Sequence, residues 1–140
     1  MGNRIKTIKK MLIILVPLLT AVLVYIIFKT LFLIGYVPSA SMEPTLKEGD
    51  IIFGIRVNGK LDTGDIIIFE HDNNLLVKRI AAVGGETIEI ENRVYMVPED
   101  CFFVLGDNLE DSYDSRFWED PFVKRSEIVA KLIGKLKEIL

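Results

Sequence analysis

From Met11 to Phe28 the chain carries no charged side chain, and nearly every residue is large and apolar; only Pro17 and Thr20 interrupt the run. Wound as a helix at 1.5 Å per residue it is roughly 27 Å long, close to the thickness of a bilayer's hydrocarbon layer. Leu31 to Val37 prolongs the apolar stretch, with Lys29 able to snorkel toward the interface. A core helix fits poorly, because what remains of a 140-residue chain is too small to surround it on every face. The apolar core of a cleaved signal peptide is usually only about 7–15 residues long, shorter than this run. The sequence therefore predicts a basic N-terminus over 1–10, a transmembrane anchor over 11–34 and a separate domain over 35–140.

Charge gives the expected orientation. Arg4, Lys6, Lys9 and Lys10 precede the span with no acidic residue, which places the N-terminus in the cytoplasm of a single-pass plasma-membrane protein. All 20 acidic residues lie at Glu43 or later, so the domain expected on the outer face is acidic. Such a surface is a poor partner for nucleic acid, whose phosphates need basic neutralisation. The single cysteine, Cys101, allows no internal disulfide, so the fold must rest on its core.

Beyond Pro38 the chain reads as short strands: 50–57, 65–70, 75–83, 87–91, 93–97 and 101–105, rich in Ile, Val and Phe. Turn-forming residues separate them, among them Asn58-Gly59, Thr63-Gly64-Asp65, Asp72-Asn73-Asn74 and Gly84-Gly85. The expected fold is all-β, a small barrel-like or folded antiparallel sheet behind one N-terminal helix. From Glu127 onward the spacing fits both a closing strand and a helix, and it predicts a strand followed by a short amphipathic helix. The basic side of that helix, Lys131, Lys135 and Lys137, would touch anionic lipid or cap the core.

Three clusters could carry chemistry. The first, Pro38 to Thr45, sets Ser39 and Ser41 among small residues and prolines, a composition equally suited to a stiff turn and to a linker. In the second, strand alternation turns Leu76, Lys78 and Ile80 to one face. An unpaired buried ammonium is costly, so burial would push Lys78 toward its neutral, basic form; in the opposite register Lys78 sits in water. The third, Gly106 to Arg116, is a polar loop without the glycine and glutamate positions of an EF-hand. His71 and Cys101 lack partners for zinc, no metal is expected, and His71 reads as a turn residue.

In this order, behind an apolar anchor, the clusters resemble the bacterial type I signal peptidases. These leader peptidases are serine proteases of the S26 family with a Ser/Lys dyad. Ser39-Ala40-Ser41-Met42-Glu43-Pro44-Thr45 is similar to the family's nucleophile box, and Gly64-Asp65-Ile66-Ile67 to its following structural box. Lys78-Arg79-Ile80 is similar to the general-base box, and Gly106-Asp107-Asn108 with Ser112, Asp114, Ser115 and Arg116 to the last one. The resemblance implies Ser41 as nucleophile and Lys78 as general base. It implies the Ser39 hydroxyl with the Ser41 N–H as oxyanion hole, Ser112 as the residue orienting the lysine, and Asp114 and Arg116 as braces.

It further implies a membrane-bound endopeptidase that cuts signal peptides from exported preproteins after small, Ala-x-Ala-like residues, without metal or organic cofactor. Val37, Met42, Leu46, Leu76 and Val77 would line the pockets that exclude large side chains. The chain departs from the family at Val83-Gly84-Gly85-Glu86, where Gly-x-Pro-Gly-Asp is common. The short interval from Lys78 to Gly106 implies that the further β domain of larger relatives is absent or reduced to one hairpin. Two other readings stay open: a maturation peptidase of the same Ser/Lys clan dedicated to one partner, and a non-catalytic membrane-anchored β module.

Overall fold

The computed structural model describes residues 2–56 and 59–136, with side chains from Ile8 onward. The chain divides into two units, 1–31 and 32–140. The first is one helix, α1 (Gly2–Leu31). Its segment Ile8–Leu31, 24 residues with a mean hydropathy of 2.9, is exposed at every residue and is long and apolar enough to cross a membrane. Pro17 lies inside it. Thr20 and Thr30 donate their hydroxyls to carbonyls of the preceding turn, so these polar groups are satisfied within the helix itself.

Every strand pairing described in the second unit is antiparallel. Its strands are β1 (Phe32–Tyr36), β2 (Ile51–Ile55), β3 (Ile66–His71), β4 (Asn74–Val83), β5 (Thr87–Ile90), β6 (Arg93–Met96), β7 (Cys101–Leu105), β8 (Phe122–Lys124) and β9 (Ile128–Lys135). Seven form one sheet in the order β1-β2-β9-β3-β4-β7-β8, and β5-β6 is a separate hairpin. The sheet is folded and open. It does not close into a barrel, since β1 and β8 are edges rather than neighbours.

Strand β3 lies deep in this order and is covered on both faces. Ile67 and Phe69 pack with Ile80, Val104, Trp118 and Val123, whereas Ile66 and Ile68 pack with Val37, Met42, Leu46, Ile52 and Ala130. Two-sided burial explains its unbroken apolar run, where a half-exposed strand would alternate. A third cluster around Ala82, Val97 and Phe103 seats the β5-β6 hairpin through Ile88, Ile90 and Tyr95.

Three boundaries differ from those expected. The helix ends at Leu31, and residues 32–34, counted with the anchor on their apolarity, belong to β1, which pairs with β2 from Phe32↔Ile55 to Tyr36↔Ile51. An apolar stretch passing from helix to strand shows no change of period to mark the join. Strand β8, three residues after Pro121, is too short to show a pattern. The expected closing strand is β9, and it runs on to Lys135. Lys131 and Lys135, expected on the basic side of a helix after that strand, therefore lie on the strand itself, because the sheet pairing continues to Lys135 against Ile52; Lys137 falls outside the described residues.

The helical look of residues 128–133 has a local cause. Partner register jumps from Gly134 to Leu132 against Phe53–Gly54, and from Ala130 to Ile128 against Ile68–Phe69. Val129 and Ile133 are thus bulged residues, and two bulges four apart break a period of two into something like a helical one. At the first bulge a Cβ on Gly54 would lie 3.0 Å from both the Ala130 Cβ and the Ile68 Cδ1. Gly54→Val is expected to lower stability by about 1–3 kcal/mol, the usual cost of overpacking. The check is the urea midpoint of the detergent-solubilised chain followed by near-UV circular dichroism.

Candidate active site

Ser41 sits in a single 3-10 turn, Ala40–Met42, between β1 and β2. Met42 is a fully buried anchor for this turn, and the Glu43 N–H closes it by donating to the Ala40 carbonyl at 3.0 Å. The loop after β7 fastens it from the other side. The Asn108 N–H donates to the Ser41 carbonyl (3.1 Å) and the Asn108 Nδ2 to the Ala40 carbonyl (3.3 Å). Gly106 makes this approach possible, because a Cβ there would come within 2.5 Å of the Ser41 carbonyl and 2.2 Å of the Ser112 hydroxyl.

Lys78 arrives from β4, on the buried side of the alternation with Ile80 and Ala82. Its side chain is almost wholly enclosed, the residue being 4% exposed, and its Nζ lies 2.7 Å from the Ser41 Oγ. Among the described residues no carboxylate stands within ion-pairing distance of it. Burial lowers the Lys78 pKa from the ordinary 10.5, opposed by the charge of Asp114, assisted by Arg116 and opposed again by Asp111. The Ser39 Oγ faces the Ser41 Oγ at 3.4 Å.

Asp114 is fully buried and holds the neighbouring loop together. It accepts the Gly106 N–H (2.9 Å), the Ser112 hydroxyl (2.7 Å) and the Arg116 Nε (2.8 Å). Burial alone would raise its pKa, but the hydrogen bonds from Arg116, Gly106 and Ser112 together hold it below the ordinary carboxylate value. The Ser112 hydroxyl, expected to orient the lysine, is turned to Asp114, and no hydrogen bond joins it to Lys78. An ionised carboxylate nearby is the stronger acceptor and claims the proton.

Val37, Met42, Leu76 and Val77 line a groove of about 360 Å³ beside Ser39, Ser41 and Lys78. Leu46 does not reach it; it lies in the core with Ile52 and Ile68. His71 is the last residue of β3 and not a turn residue, and its ring stacks on Trp118 at 3.9 Å between centroids. Sequence reasoning missed the pairing of Arg79 with Asp107, whose two oxygens accept the guanidinium at 2.8 and 2.7 Å. Arg79 also donates to the Gly64 carbonyl (2.7 Å) and so ties three of the motifs at one point. Their adjacency to Lys78 and Asn108 was the available signal. Tyr36, Asp111 and Tyr113, also in the groove wall, gave none.

An open antiparallel sheet that sets a serine hydroxyl against a buried amine has the make-up of a serine peptidase. The chain belongs to the family described as signal peptidase, peptidase S26, whose model matches residues 8–97 and 92–136. It is similar to signal peptidase I of Leptolyngbya laminosa, 30% identical over 134 residues, covering 70% of this chain and 65% of the relative. It is also similar to probable signal peptidase I-2 of Synechocystis sp., 28% identical over 130 residues and covering 69% and 59% of the two chains. The chain thus spans less than two thirds of either relative's length. A third relative, the inactive signal peptidase IA of Staphylococcus aureus, is 33% identical over 84 residues, 57% of this chain and 48% of that one. Identity at this level accompanies both states, so the reactive side chains themselves must carry the case for activity.

Asp114→Asn is expected to cost about 3–5 kcal/mol, because it leaves the Arg116 guanidinium without its buried counter-charge. In the unsubstituted protein this stability is present above the ordinary aspartate pKa of 3.8 and is lost as pH falls through the lower folded value. Urea midpoints of both proteins between pH 7 and pH 3, run side by side, should converge toward the acid end.

Proposed function

We propose that the protein is a membrane-bound serine endopeptidase that removes signal peptides from exported preproteins, cutting after small residues. The observation that carries this reading is the 2.7 Å approach of a buried, unpaired lysine amine to the Ser41 hydroxyl. A serine hydroxyl is a poor nucleophile until a positioned base takes its proton, and lysine does so only when neutral. Enclosure of Lys78 favours that form. Ser41 Oγ attacks the scissile carbonyl carbon as its proton passes to Lys78 Nζ. The developing oxyanion is met by the Ser41 N–H and the Ser39 hydroxyl. Lys78 returns the proton to the leaving amine, and a water, deprotonated by the same amine, then hydrolyses the ester.

The groove fits an extended peptide. β7 pairs with β4 only from Arg79 onward, so the edge of β4 before it, residues 75–78, is open on that side. A peptide can add there as a strand, with alternate side chains entering the pockets lined by Val37, Met42, Leu76 and Val77. Asp114, Arg116 and Ser112 act as braces, Ser112 through Asp114. Helix α1 serves as the single anchor, with 1–10 cytoplasmic, so that the β unit works on the outer face of the plasma membrane.

The test is site-specific cleavage of a preprotein with an Ala-x-Ala site by the wild type, Ser41→Ala and Lys78→Ala in detergent, with cut positions read by mass spectrometry. Each substitution is expected to lower the rate at least about a thousandfold while leaving the protein folded. Equal cutting by wild type and Ser41→Ala would overturn the reading. The wild-type rate should rise with pH along one ionisation whose midpoint lies below 10.5, since only deprotonated Lys78 is active. A profile flat through the alkaline range would remove Lys78 from that role.

A further inference from the structure

Among the described residues that line the groove, Lys78 and Asp111 alone carry a formal charge, and their signs are opposite. The rest are apolar, hydroxyl-bearing or phenolic. The mechanism uses Lys78 and leaves Asp111 idle.

The place of Asp111 is fixed by the backbone on either side of it. Its N–H donates to the Asn108 carbonyl at 3.1 Å, closing a turn, and Asn108 is the residue fastened to the Ala40 and Ser41 carbonyls. The next residue, Ser112, is buried and donates to Asp114. Asp111 itself is exposed, and among the described residues no hydrogen bond or ion pair holds its carboxylate. A negative charge is thus held at the groove wall by its main chain alone.

Three charged groups act on Lys78 through space, Asp114, Arg116 and Asp111, all from the loop between β7 and β8. The Ser41 turn brings only the uncharged Ser39 and Ser41 against it. Asp114 and Arg116 form an ion pair, so their effects on Lys78 oppose one another. Asp111 has no such partner. Its charge works against the burial that lowers the lysine, because a carboxylate favours a nearby ammonium over the neutral amine.

We propose that Asp111 sets the pH range over which the site works, by holding on the Lys78 amine a proton that enclosure favours shedding. Asp111 is on this account a positioning residue, acting through Lys78 and touching no reacting atom. The proposal rests on the peptidase reading for its readout in rate, though not for the effect of Asp111 on Lys78. Its consequence is a gain on removal. Without the carboxylate a larger fraction of Lys78 is neutral below the midpoint of the pH profile, whereas above it the amine is neutral either way.

For a preprotein with an Ala-x-Ala site, kcat and KM would be followed against pH for the detergent-solubilised full chain as wild type, Asp111→Asn and Asp111→Glu. The Asn variant is expected to cut about twofold to fivefold faster than the wild type on the acid limb and equally fast on the alkaline plateau, its midpoint displaced to lower pH. The advantage should shrink with added salt, which screens an exposed charge. Asp111→Glu keeps the charge and should follow the wild type. Damage to the fold would slow the enzyme at every pH, so a gain confined to the acid limb has no such explanation.

A second measurement needs no cleavage. Labelling of Lys78 by a trace of acetic anhydride, read against pH by mass spectrometry with the exposed Lys60 as internal reference, follows the neutral amine directly. Its midpoint is expected to fall in Asp111→Asn and to stay in place in Asp111→Glu. Equal labelling midpoints in the three chains would overturn the inference, and cleavage by the wild type would then leave the peptidase reading standing. A change confined to KM, with the midpoint unmoved, would also overturn it and assign Asp111 to substrate contact. A labelling midpoint that falls in Asp111→Asn, in a protein that cleaves nothing, upholds the inference and removes the peptidase reading.

Discussion

The site depends on a lysine buried without a carboxylate partner, which lowers its pKa from the ordinary value. Lys78 is buried against the Ser41 turn, and no carboxylate among the described residues stands within ion-pairing distance of it. A carboxylate at that distance would hold it protonated and useless as a base; open water would do the same. Asp114 is near enough to act on Lys78 through space, yet its oxygens are occupied by Arg116, Ser112 and the Gly106 N–H. The bracing ion pair thus has two effects. It fixes the loop that holds the Ser41 turn, and it offsets one buried charge with another before either can be offered to the lysine.

Most of the remaining architecture serves this enclosure. Covering β3 on both faces makes the middle of the sheet rigid, and β4, hydrogen-bonded to it from Ile66↔Arg79 to His71↔Asn74, inherits that rigidity at Lys78. The Ser41 turn is not part of the sheet. It is pinned to the sheet by Met42 beneath, by Asn108 from the β7 side and by the Lys135 Nζ, which donates to the Thr45 carbonyl at 2.9 Å. Arg79 and Asp107 add a charged clasp between β4 and the loop that carries Asn108.

What the sequence disclosed follows from which signals are local. The buried side of β4 is readable because Leu76-Lys78-Ile80 alternates in a single strand, and the structure buries Lys78 and Ile80 as that pattern requires. The six strands with turn residues at both ends were legible for the same reason. β1 was hidden because an apolar residue looks alike in a helix and in a strand, and β9 because its two bulges imitate another period. Side-chain partners were least legible. That Leu46 lies in the core and not in the groove wall is settled by packing between segments far apart in the chain, and that Ser112 turns to Asp114, two residues on, is settled by the fold of their own loop around a buried carboxylate.

The place of β9 in the sheet has a consequence for how the protein is made. It is inserted between β2 and β3, separating strands that precede it in the chain. While the polypeptide is still growing, those two strands have no partner on their facing edges, and the floor beneath the Ser41 turn lacks Ala130. The Ser41 turn therefore gains its full support against β3 and β4 only once β9 is in place. On the proposed reading, a nascent chain that still lacks β9 is silent, because the floor beneath its reactive pair is not yet laid.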